Sequence, residues 1–306
     1  MEKPVVGRFA PTPSGRMHLG NVFAALVAWL SVRKQGGQMV LRMEDLDTQR
    51  TGSAYADILM DDLAWLGLDF DIVTPPQSTR TQVYGRYFAM LQDMDLLYPC
   101  YCTRSQLHSV NAPHLSDGTY VYPGTCRNLT AEERSAFGRA PAWRVKVTDK
   151  IWELEDLAQG KYIENLATDC GDFVVRRADG AYVYQLAVTV DDGEAGVTEV
   201  VRGADLLSSA PRQMYLQSLF GFSHPKYGHV PMLLAPDGRR LSKRDRDLDL
   251  GALRQRFTAP ELLGLLACSA GILEKNTPVS LQELIDLFSW EPLKKEAIYL
   301  ENRLFE

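Results

Sequence analysis

The sequence predicts an α/β fold built on an open parallel sheet, with a small inserted module and a helical C-terminal segment. Three observations carry this prediction. Strand-like and helix-like apolar spacing alternates from residue 5 to residue 66, as at the start of a parallel α/β sheet. Turn formers and three clustered cysteines interrupt the pattern over residues 98–128. Only helical spacing follows residue 250.

The first four elements follow one another closely. VVGRFAP predicts a strand ending near Phe9, and the PTPSG turn leads into a helix over Asn21–Lys34 that stops at Gly36. QMVLRMED predicts a second strand with Glu44 at its carboxyl end, and apolar residues at helical spacing predict a helix over Ser53–Leu66. Ligands of such sheets bind at the carboxyl ends of the strands.

The later elements are less regular. WRVKV and FVVRR indicate a mixed α+β segment, and from Tyr182 the run YVYQLAVTVDD predicts a return of the parallel-sheet pattern. VTEVVRGADLL predicts a strand leading into a helix, Pro231–Leu234 a last short strand, and Pro260–Ala270 and Leu281–Leu287 two helices. The changes of pattern divide the chain into five segments: 1–97, 98–130, 131–180, 181–250 and 251–306.

Composition excludes several classes of protein. A chain of 306 residues, 45% hydrophobic and 24% charged, can bury a core without disulfide or metal cross-links. No apolar run reaches the length of a membrane span. Five cysteines, an odd number, argue against a disulfide framework, and MEKPVVGRFAP is not a secretory signal. A net charge of −6 disfavours a general nucleic-acid coat but allows local contacts to phosphate. We therefore expect a cytoplasmic monomer that does not bind membranes.

Two distant segments each have features of a phosphate site. RFAPTPSGRMHLGN, from Arg8 to Asn21, places turn formers, His18 and Gly20 at the mouth of a helix, where backbone N–H groups attract phosphate. RLSKR puts Lys243 in a short cationic loop. Either segment alone is compatible with an ordinary surface turn. Together they predict one nucleotide site for nucleotidyl transfer from ATP.

The same residues carry a family resemblance. HLGN resembles the HIGH motif of class I aminoacyl-tRNA synthetases, and RLSKR resembles their KMSKS motif. RFAPTPSGRMHLG and the stretch Val190–Leu207 resemble the glutamyl and glutaminyl branch. Asn21 replaces the second histidine of HIGH, and we assign it no role. The resemblance implies the Rossmann-like fold of class I synthetases, catalysis by His18 and Lys243, and an ATP site at His18, Gly20 and Lys243.

The implied reaction has two steps. The carboxylate of the amino acid attacks the α-phosphate of ATP, which Mg²⁺ accompanies, and the adenylate is then attacked by a tRNA hydroxyl. The resemblance implies L-glutamate as the amino acid, because Arg side chains suit its two carboxylates and a carboxylate suits its ammonium. It assigns the glutamate contacts to Arg8, Phe9, Ala10, Pro11, Thr12, Glu44, Tyr184 and Arg202.

Two alternatives to these contacts stay open at this point. Arg8 and Glu44 can instead pair with each other. Tyr182 lies two residues before Tyr184 and would point the same way on a strand, so either tyrosine can face the pocket.

The clustered cysteines predict a structural zinc ion, one per chain. Cys100, Cys102 and Cys126 supply three thiolates, whereas a structural site usually has four ligands. The resemblance places Tyr122 in the fourth position, and His108 and His114 are chemically better alternatives. Three reduced cysteines in a small core remain the competing interpretation.

The tRNA partner follows from the resemblance and from length. Discriminating glutamyl-tRNA synthetases carry a large helical anticodon-binding region after this loop, and only a short stretch follows Lys243 here. The resemblance thus implies a truncated branch that attaches glutamate to queuosine in the anticodon loop of tRNA(Asp). Queuosine carries two neighbouring hydroxyls that imitate a terminal ribose. A truncated glutamyl-tRNA synthetase charging a tRNA 3′ end and a non-catalytic tRNA-binding or regulatory paralogue are the alternatives.

Overall fold

The computed structural model describes residues 4–48, 51–109, 121–241 and 248–301. Its N-terminal part alternates strands and helices, as the sequence predicts, and the predicted helix over Ser53–Leu66 is confirmed. The elements are β1 (Val6–Phe9), α1 (Leu19–Lys34), β2 (Gln38–Leu41), α2 (Ser53–Leu66), β3 (Ile72–Val73) and α3 (Thr81–Asp93).

The middle of the chain forms a separate antiparallel layer. Strands β4, β5 and β8 make a three-stranded sheet, and β6 and β7 make a hairpin. The elements are β4 (Leu97–Cys100), α4 (Arg104–Ser109), α5 (Ala131–Ser135), β5 (Ala142–Val145), β6 (Ile151–Asp156), β7 (Gly160–Asn165), α6 (Leu166–Asp169) and β8 (Phe173–Arg176).

The last part returns to the main sheet and ends in helices. The helices predicted over Pro260–Ala270 and Leu281–Leu287 are confirmed within one residue. The elements are α7 (Tyr184–Glu194), β9 (Glu199–Gly203), α8 (Ser209–Phe220), β10 (Lys226–Val230), β11 (Leu233–Leu234), α9 (Leu250–Arg256), α10 (Ala259–Ala270), α11 (Leu281–Leu287) and β12 (Ile298–Tyr299).

The main sheet has five parallel strands in the order β10-β9-β1-β2-β3. The chain runs outward from β1 to β2 and β3, and later returns to the other side of β1 with β9 and β10. Strands β1 and β9 pair at Gly7 and Glu199, which leaves their carboxyl ends apart. This is the reversal of strand order at which α/β sheets bind ligands.

Helix α1 packs directly on the sheet because β1 carries a glycine at the contact. A Cβ on Gly7 would lie 2.2 Å from Cγ2 of Val32, so only glycine allows this approach. The buried side of α1 continues into a core shared with the C-terminal helices, to which Leu26, Leu263 and Leu284 belong. The C-terminal helices thus pack on α1 and share its hydrophobic core. No helix among the described residues has the length and apolar character to cross a bilayer.

The prediction of a strand in YVYQLAVTVDD is wrong, because residues 184–194 form helix α7. The helix is buried from Leu186 to Asp192, so it lacks the polar stripe that marks a helix in sequence. Its Val and Thr residues also favour strands intrinsically, and packing overrides that preference.

The short strand predicted over Pro231–Leu234 forms at Leu233–Leu234. Strand β10, which precedes Pro231, was not predicted. KYGHV looks polar in sequence, yet His229 is fully buried and a Cβ on Gly228 would lie 2.6 Å from the ring of Trp290.

Helix α7 is held by a buried carboxylate. Asp191 accepts hydrogen bonds from Gln77 (2.8 Å), Arg80 (2.7 Å) and Tyr84 (2.9 Å). Its Oδ2 also lies 3.7 Å from Nε of Arg42. The carboxylate thus ties α7 to the region that follows β3.

We predict that Asp191→Ala lowers the free energy of unfolding by about 3 kcal/mol, because it leaves buried donors and guanidinium groups without their partner. Urea unfolding followed by circular dichroism measures the change. The matched control is Glu153→Ala, which breaks a half-exposed pair with Lys161 and should cost at most about 1 kcal/mol. Equal urea midpoints for the two variants would contradict the role of Asp191.

Candidate active site

A cavity of about 580 Å³ opens where β1 and β9 separate. The described residues of the predicted glutamate and ATP sites all line it. Lys243 falls in residues 242–247, outside the described residues, whereas its neighbours Arg240 and Leu241 line the cavity. The predicted residues brought together here are Arg8, Phe9, Ala10, Pro11, Thr12, His18, Gly20, Glu44, Tyr184 and Arg202.

His18 caps the helix that points its N-terminus at the cavity. Its Nδ1 accepts a hydrogen bond from the backbone N–H of Gly20 at 3.1 Å, so a neutral imidazole carries its proton on Nε2. A Cβ on Gly20 would lie 3.1 Å from this ring, which explains the glycine. The N–H groups of Gly20, Asn21 and Val22 are all bonded to His18, so the partial positive charge of this helix end, and not a set of free N–H groups, favours an anionic ligand here.

Arg8 is held at the end of β1, where the sheet separates. Only 4% of it is exposed, and its Nη1 donates to the carbonyl of Val201 on β9 at 2.9 Å. Its Nε lies 3.6 Å from Oδ2 of Asp192. The side chain therefore spans the space between the two strands. It supplies a hydrogen-bond donor to a carbonyl that receives none from pairing with β1.

Glu44 pairs with Arg42 rather than with Arg8. Nη2 of Arg42 lies 3.1 Å from Oε1 of Glu44, and Nη1 of Arg42 donates to Asp192 at 2.6 Å. Of the two arrangements open from sequence, the direct Arg8–Glu44 pair is thus not the one formed. Burial raises the pKa of Glu44, partly offset by Arg42 and Arg8. Burial acts in the same direction on Asp192, but these two cations outweigh it and lower the pKa of that carboxyl.

Arg202, at the end of β9, supplies the second buried cation. Its Nη1 donates to Oε1 of Gln213 at 2.8 Å and lies 3.4 Å from the hydroxyl of Tyr184. Its Nε donates to Nε2 of His229 at 3.0 Å. Burial raises the pKa of Tyr184 against the effect of Arg202, so its hydroxyl stays protonated.

The choice between the two tyrosines is decided by helix α7. Tyr184 begins the helix and lines the cavity. Tyr182 lies outside the cavity lining and packs edge-on against Tyr84 and Phe88, with ring centroids 5.8 and 6.0 Å away. The two tyrosines do not lie on one face of a strand, as the sequence analysis assumed. Of the two, Tyr184 is the one that faces the cavity.

Three ionisable side chains of the site were missed by the sequence analysis. Arg42, Asp192 and His229 are buried and paired with predicted residues. The acidic pair VDD was a usable signal, since adjacent carboxylates after a long apolar run need cations. His229 gave no comparable signal.

The arrangement suits a small anionic amino acid beside a nucleotide. Two guanidinium groups and one carboxylate lie at the carboxyl ends of the strands, and a helix N-terminus with His18 opens on the same cavity. Buried cations of this kind bind carboxylates. The helix end and its imidazole can face the phosphates of a nucleotide.

The predicted metal ligands form a second cluster at the end of β4. The sulfurs of Cys100, Cys102 and Cys126 lie within 4.8 Å of one another, with Cys102 and Cys126 at 3.6 Å. The hydroxyl of Tyr122 lies 3.5 Å from the sulfur of Cys100 and 3.9 Å from that of Cys102. Tetrahedral zinc with bonds of about 2.3 Å separates its sulfurs by about 3.8 Å, so the set fits the metal.

The surroundings of the cluster favour the anionic form of Cys100 and oppose that of Cys102. Nε of Arg144 donates to the sulfur of Cys100 at 3.2 Å, and the backbone N–H of Cys126 donates to the Tyr122 hydroxyl at 2.8 Å. Burial opposes ionisation of Cys100, but the Arg144 charge and the hydrogen bonds with Tyr122 and Arg144 lower its pKa. Burial raises the pKa of Cys102 to about 12. Of the alternative ligands, His114 and the side chain of His108 lie outside the described residues.

Comparison with known proteins agrees with this geometry. A family model described as tRNA synthetases class I (E and Q), catalytic domain, matches residues 4–298. The glutamyl-Q tRNA(Asp) synthetase of Nitratidesulfovibrio vulgaris is 45% identical over 296 residues, covering 92% of this chain and 91% of that protein. Its counterpart in Symbiobacterium thermophilum is also 45% identical, covering 95% and 94%.

Solved structures give the same answer for the fold. The glutamate-tRNA synthetase from Elizabethkingia anophelis matches with a TM-score of 0.83 at 28% identity, covering 99% of this chain and 69% of that one. A glutamate tRNA ligase from Elizabethkingia meningosepticum, in complex with its amino acid, matches with a TM-score of 0.82 at the same identity. The chain therefore belongs to the class I tRNA synthetases of the glutamate and glutamine type, and has their catalytic fold.

Proposed function

We propose that this protein is a ligase that activates L-glutamate with ATP and transfers it to queuosine in the anticodon loop of tRNA(Asp). The observation that carries the first half is the convergence of Arg8, Arg202 and Glu44 on the cavity that also holds His18 at a helix N-terminus. The names of the relatives that match nearly the whole chain support the second half.

Glutamate suits the charges of the cavity. Arg8 and Arg202 are cations that bind the two carboxylates of the substrate, and Glu44 binds its ammonium. Arg42 holds Glu44 at 3.1 Å and Asp192 at 2.6 Å, so the cavity charges are fixed before the substrate arrives. Tyr184 directs a protonated hydroxyl toward the same end of the cavity. An amino acid with an uncharged side chain would leave one buried guanidinium without a carboxylate of the substrate to bind.

Activation needs positioning more than covalent help. The α-carboxylate of glutamate attacks the α-phosphate of ATP, and pyrophosphate leaves. His18 donates from Nε2 to phosphate oxygens as their charge grows, and Lys243 from the RLSKR loop supplies a cation to the same phosphates. Gly20 keeps the first turn of α1 free of side-chain bulk near the phosphates. A hydroxyl of the acceptor then attacks the adenylate and releases AMP.

Queuosine fits this chemistry as an acceptor. Its cyclopentene ring carries two neighbouring hydroxyls that present the same diol as a terminal ribose. The catalytic steps therefore need no change between a 3′ end and queuosine. What distinguishes the two acceptors is how the tRNA docks.

We also propose that Cys100, Cys102, Cys126 and Tyr122 hold one structural zinc ion. The spacing of the sulfurs and the hydrogen bond from Cys126 to the phenol oxygen support this set. Zinc would cross-link the end of β4 to the loop that carries Tyr122 and Cys126. Because all four ligands come from the protein, the ion supplies folding energy and takes no part in catalysis.

The acceptor is tested with labelled glutamate and ATP. We expect labelling of tRNA from ordinary cells and none of tRNA from cells that cannot make queuosine. Removing the 3′-terminal adenosine should leave the labelling unchanged, because the proposed acceptor is in the anticodon loop. Equal labelling of both pools, or loss of labelling after trimming, would instead favour a synthetase that charges the 3′ end.

The amino-acid site is tested by Glu44→Gln. We expect the KM for glutamate in ATP–pyrophosphate exchange to rise about tenfold or more, because an ionic contact to the ammonium is lost. In the unchanged protein this KM should also rise toward acidic pH, since Glu44 must be ionised and burial raises its pKa. The variant should lack that rise. Glu296→Gln, at an exposed position, is the control and should behave as the unchanged protein.

The metal is tested by elemental analysis of freshly purified protein, which should contain about one zinc ion per chain. Cys102→Ser should lose the metal, whereas Cys268→Ser, outside the cluster, should retain it. Tyr122→Phe should release zinc faster to a chelator if the phenol is the fourth ligand. Absence of zinc from the unchanged protein would leave the three cysteines as reduced core residues.

A further inference from the structure

We propose that Asp156 and His229 are positioning residues that orient Arg202 for glutamate through a buried chain of hydrogen bonds. The inference rests on the proposed function, since it assigns a purpose to the orientation of Arg202. Neither residue lines the cavity, so neither is expected to touch the substrate. They act on it only through the guanidinium.

The hydrogen bonds from Asp156 through His229 to Arg202 form a continuous, buried chain. Nδ1 of His229 lies 2.6 Å from Oδ2 of Asp156, and Nε2 of His229 lies 3.0 Å from Nε of Arg202. The side chains of His229 and Asp156 have no exposed surface. Since Arg202 is 5% exposed, almost no water competes for these contacts.

The direction of each hydrogen bond follows from chemistry. Nε of arginine can only donate, so Nε2 of His229 must be the acceptor and carry no proton. Its proton therefore lies on Nδ1 and is donated to Asp156. Burial lowers the pKa of His229 to about 4. The charges of Arg202 and Arg8 also lower this pKa, whereas Asp156 raises it. The imidazole thus stays neutral and keeps this one tautomer at neutral pH.

Asp156 is itself fixed by backbone. Its Oδ1 accepts from the N–H groups of Ala158 (3.0 Å), Gln159 (2.9 Å) and His229 (2.9 Å). These three donors require an oxygen at that position. With Oδ1 fixed in this way, Oδ2 faces the imidazole of His229. The same hydrogen bonds connect the β6–β7 hairpin to strand β10.

The remaining contacts of Arg202 complete its orientation. Gln213 accepts from Nη1 at 2.8 Å, and the carbonyl of Leu206 accepts from Nη2 at 3.3 Å. Among the described residues, His229 alone is hydrogen-bonded to Nε, and this bond sets the rotation of the guanidinium plane. A bidentate contact to a carboxylate depends on that plane.

Asp156→Asn tests the chain with little change of shape. The three backbone donors keep the amide oxygen at the Oδ1 position, so the amide NH₂ faces Nδ1 of His229. The imidazole must then accept at Nδ1 and move its proton to Nε2, where it opposes the N–H of Arg202. We expect the KM for glutamate to rise about tenfold and the KM for ATP to change less than about twofold.

A second readout does not depend on activity. The long-range ¹H–¹⁵N spectrum of the imidazoles should show His229 as the Nδ1–H tautomer in the unchanged protein and as the Nε2–H tautomer in Asp156→Asn. The chain has five histidines, and the signal missing from a His229→Gln variant assigns the right one. His229→Gln can accept from Arg202 and donate to Asp156, so its KM should stay closer to normal than that of His229→Leu.

Leu154→Ala is the matched control, because Leu154 is buried on the same strand, β6, and its side chain makes none of these hydrogen bonds. It should lower the melting temperature and leave the KM for glutamate unchanged. An unchanged tautomer in Asp156→Asn, or equal KM values for the Gln and Leu variants of His229, would overturn the inference. Absence of glutamate-dependent exchange in the unchanged protein would refute the proposed function instead, and the tautomer spectra would still test the chain.

Discussion

The separation of β1 from β9 is the constraint on which the site depends. It creates the cavity, but it also leaves backbone groups and buried charge to be compensated. Arg8 spans part of the space by donating to Val201, and Arg202 closes the far side through His229 and Gln213. The side chains that line the cavity therefore also stabilise the sheet at its widest point. Under the proposed function, binding and folding therefore use the same side chains.

Charge balance governs how these side chains are arranged. Arg42 is almost fully buried and contacts Glu44, Asp191 and Asp192, so it neutralises carboxylates that would otherwise be costly to bury. This pairing holds Glu44 in place while leaving it on the cavity wall. It also separates Glu44 from Arg8, which keeps a cation and an anion available for an amino acid that carries both charges.

The inserted layer contributes to the site although none of its described residues lines the cavity. Its hairpin reaches strand β10 through Asp156, and its cysteine cluster closes the end of β4. Segments far apart in sequence thus meet around one cavity. A polar chain at this depth is rigid because each donor has an acceptor and water has little access.

Local patterns in the sequence determined the alternating opening, helices α2 and α11, and the motif residues from Arg8 to Gly20. These features depend on neighbouring residues, and a turn followed by an amphipathic run has few other solutions. Packing decided the rest. Helix α7 resembles a strand in sequence because it is buried on all sides. Strand β10 looks polar in sequence because the partners that allow His229 to be buried lie elsewhere in the chain. The pairing of Glu44 with Arg42 joins residues two apart, but only the sheet places Asp192 beside them.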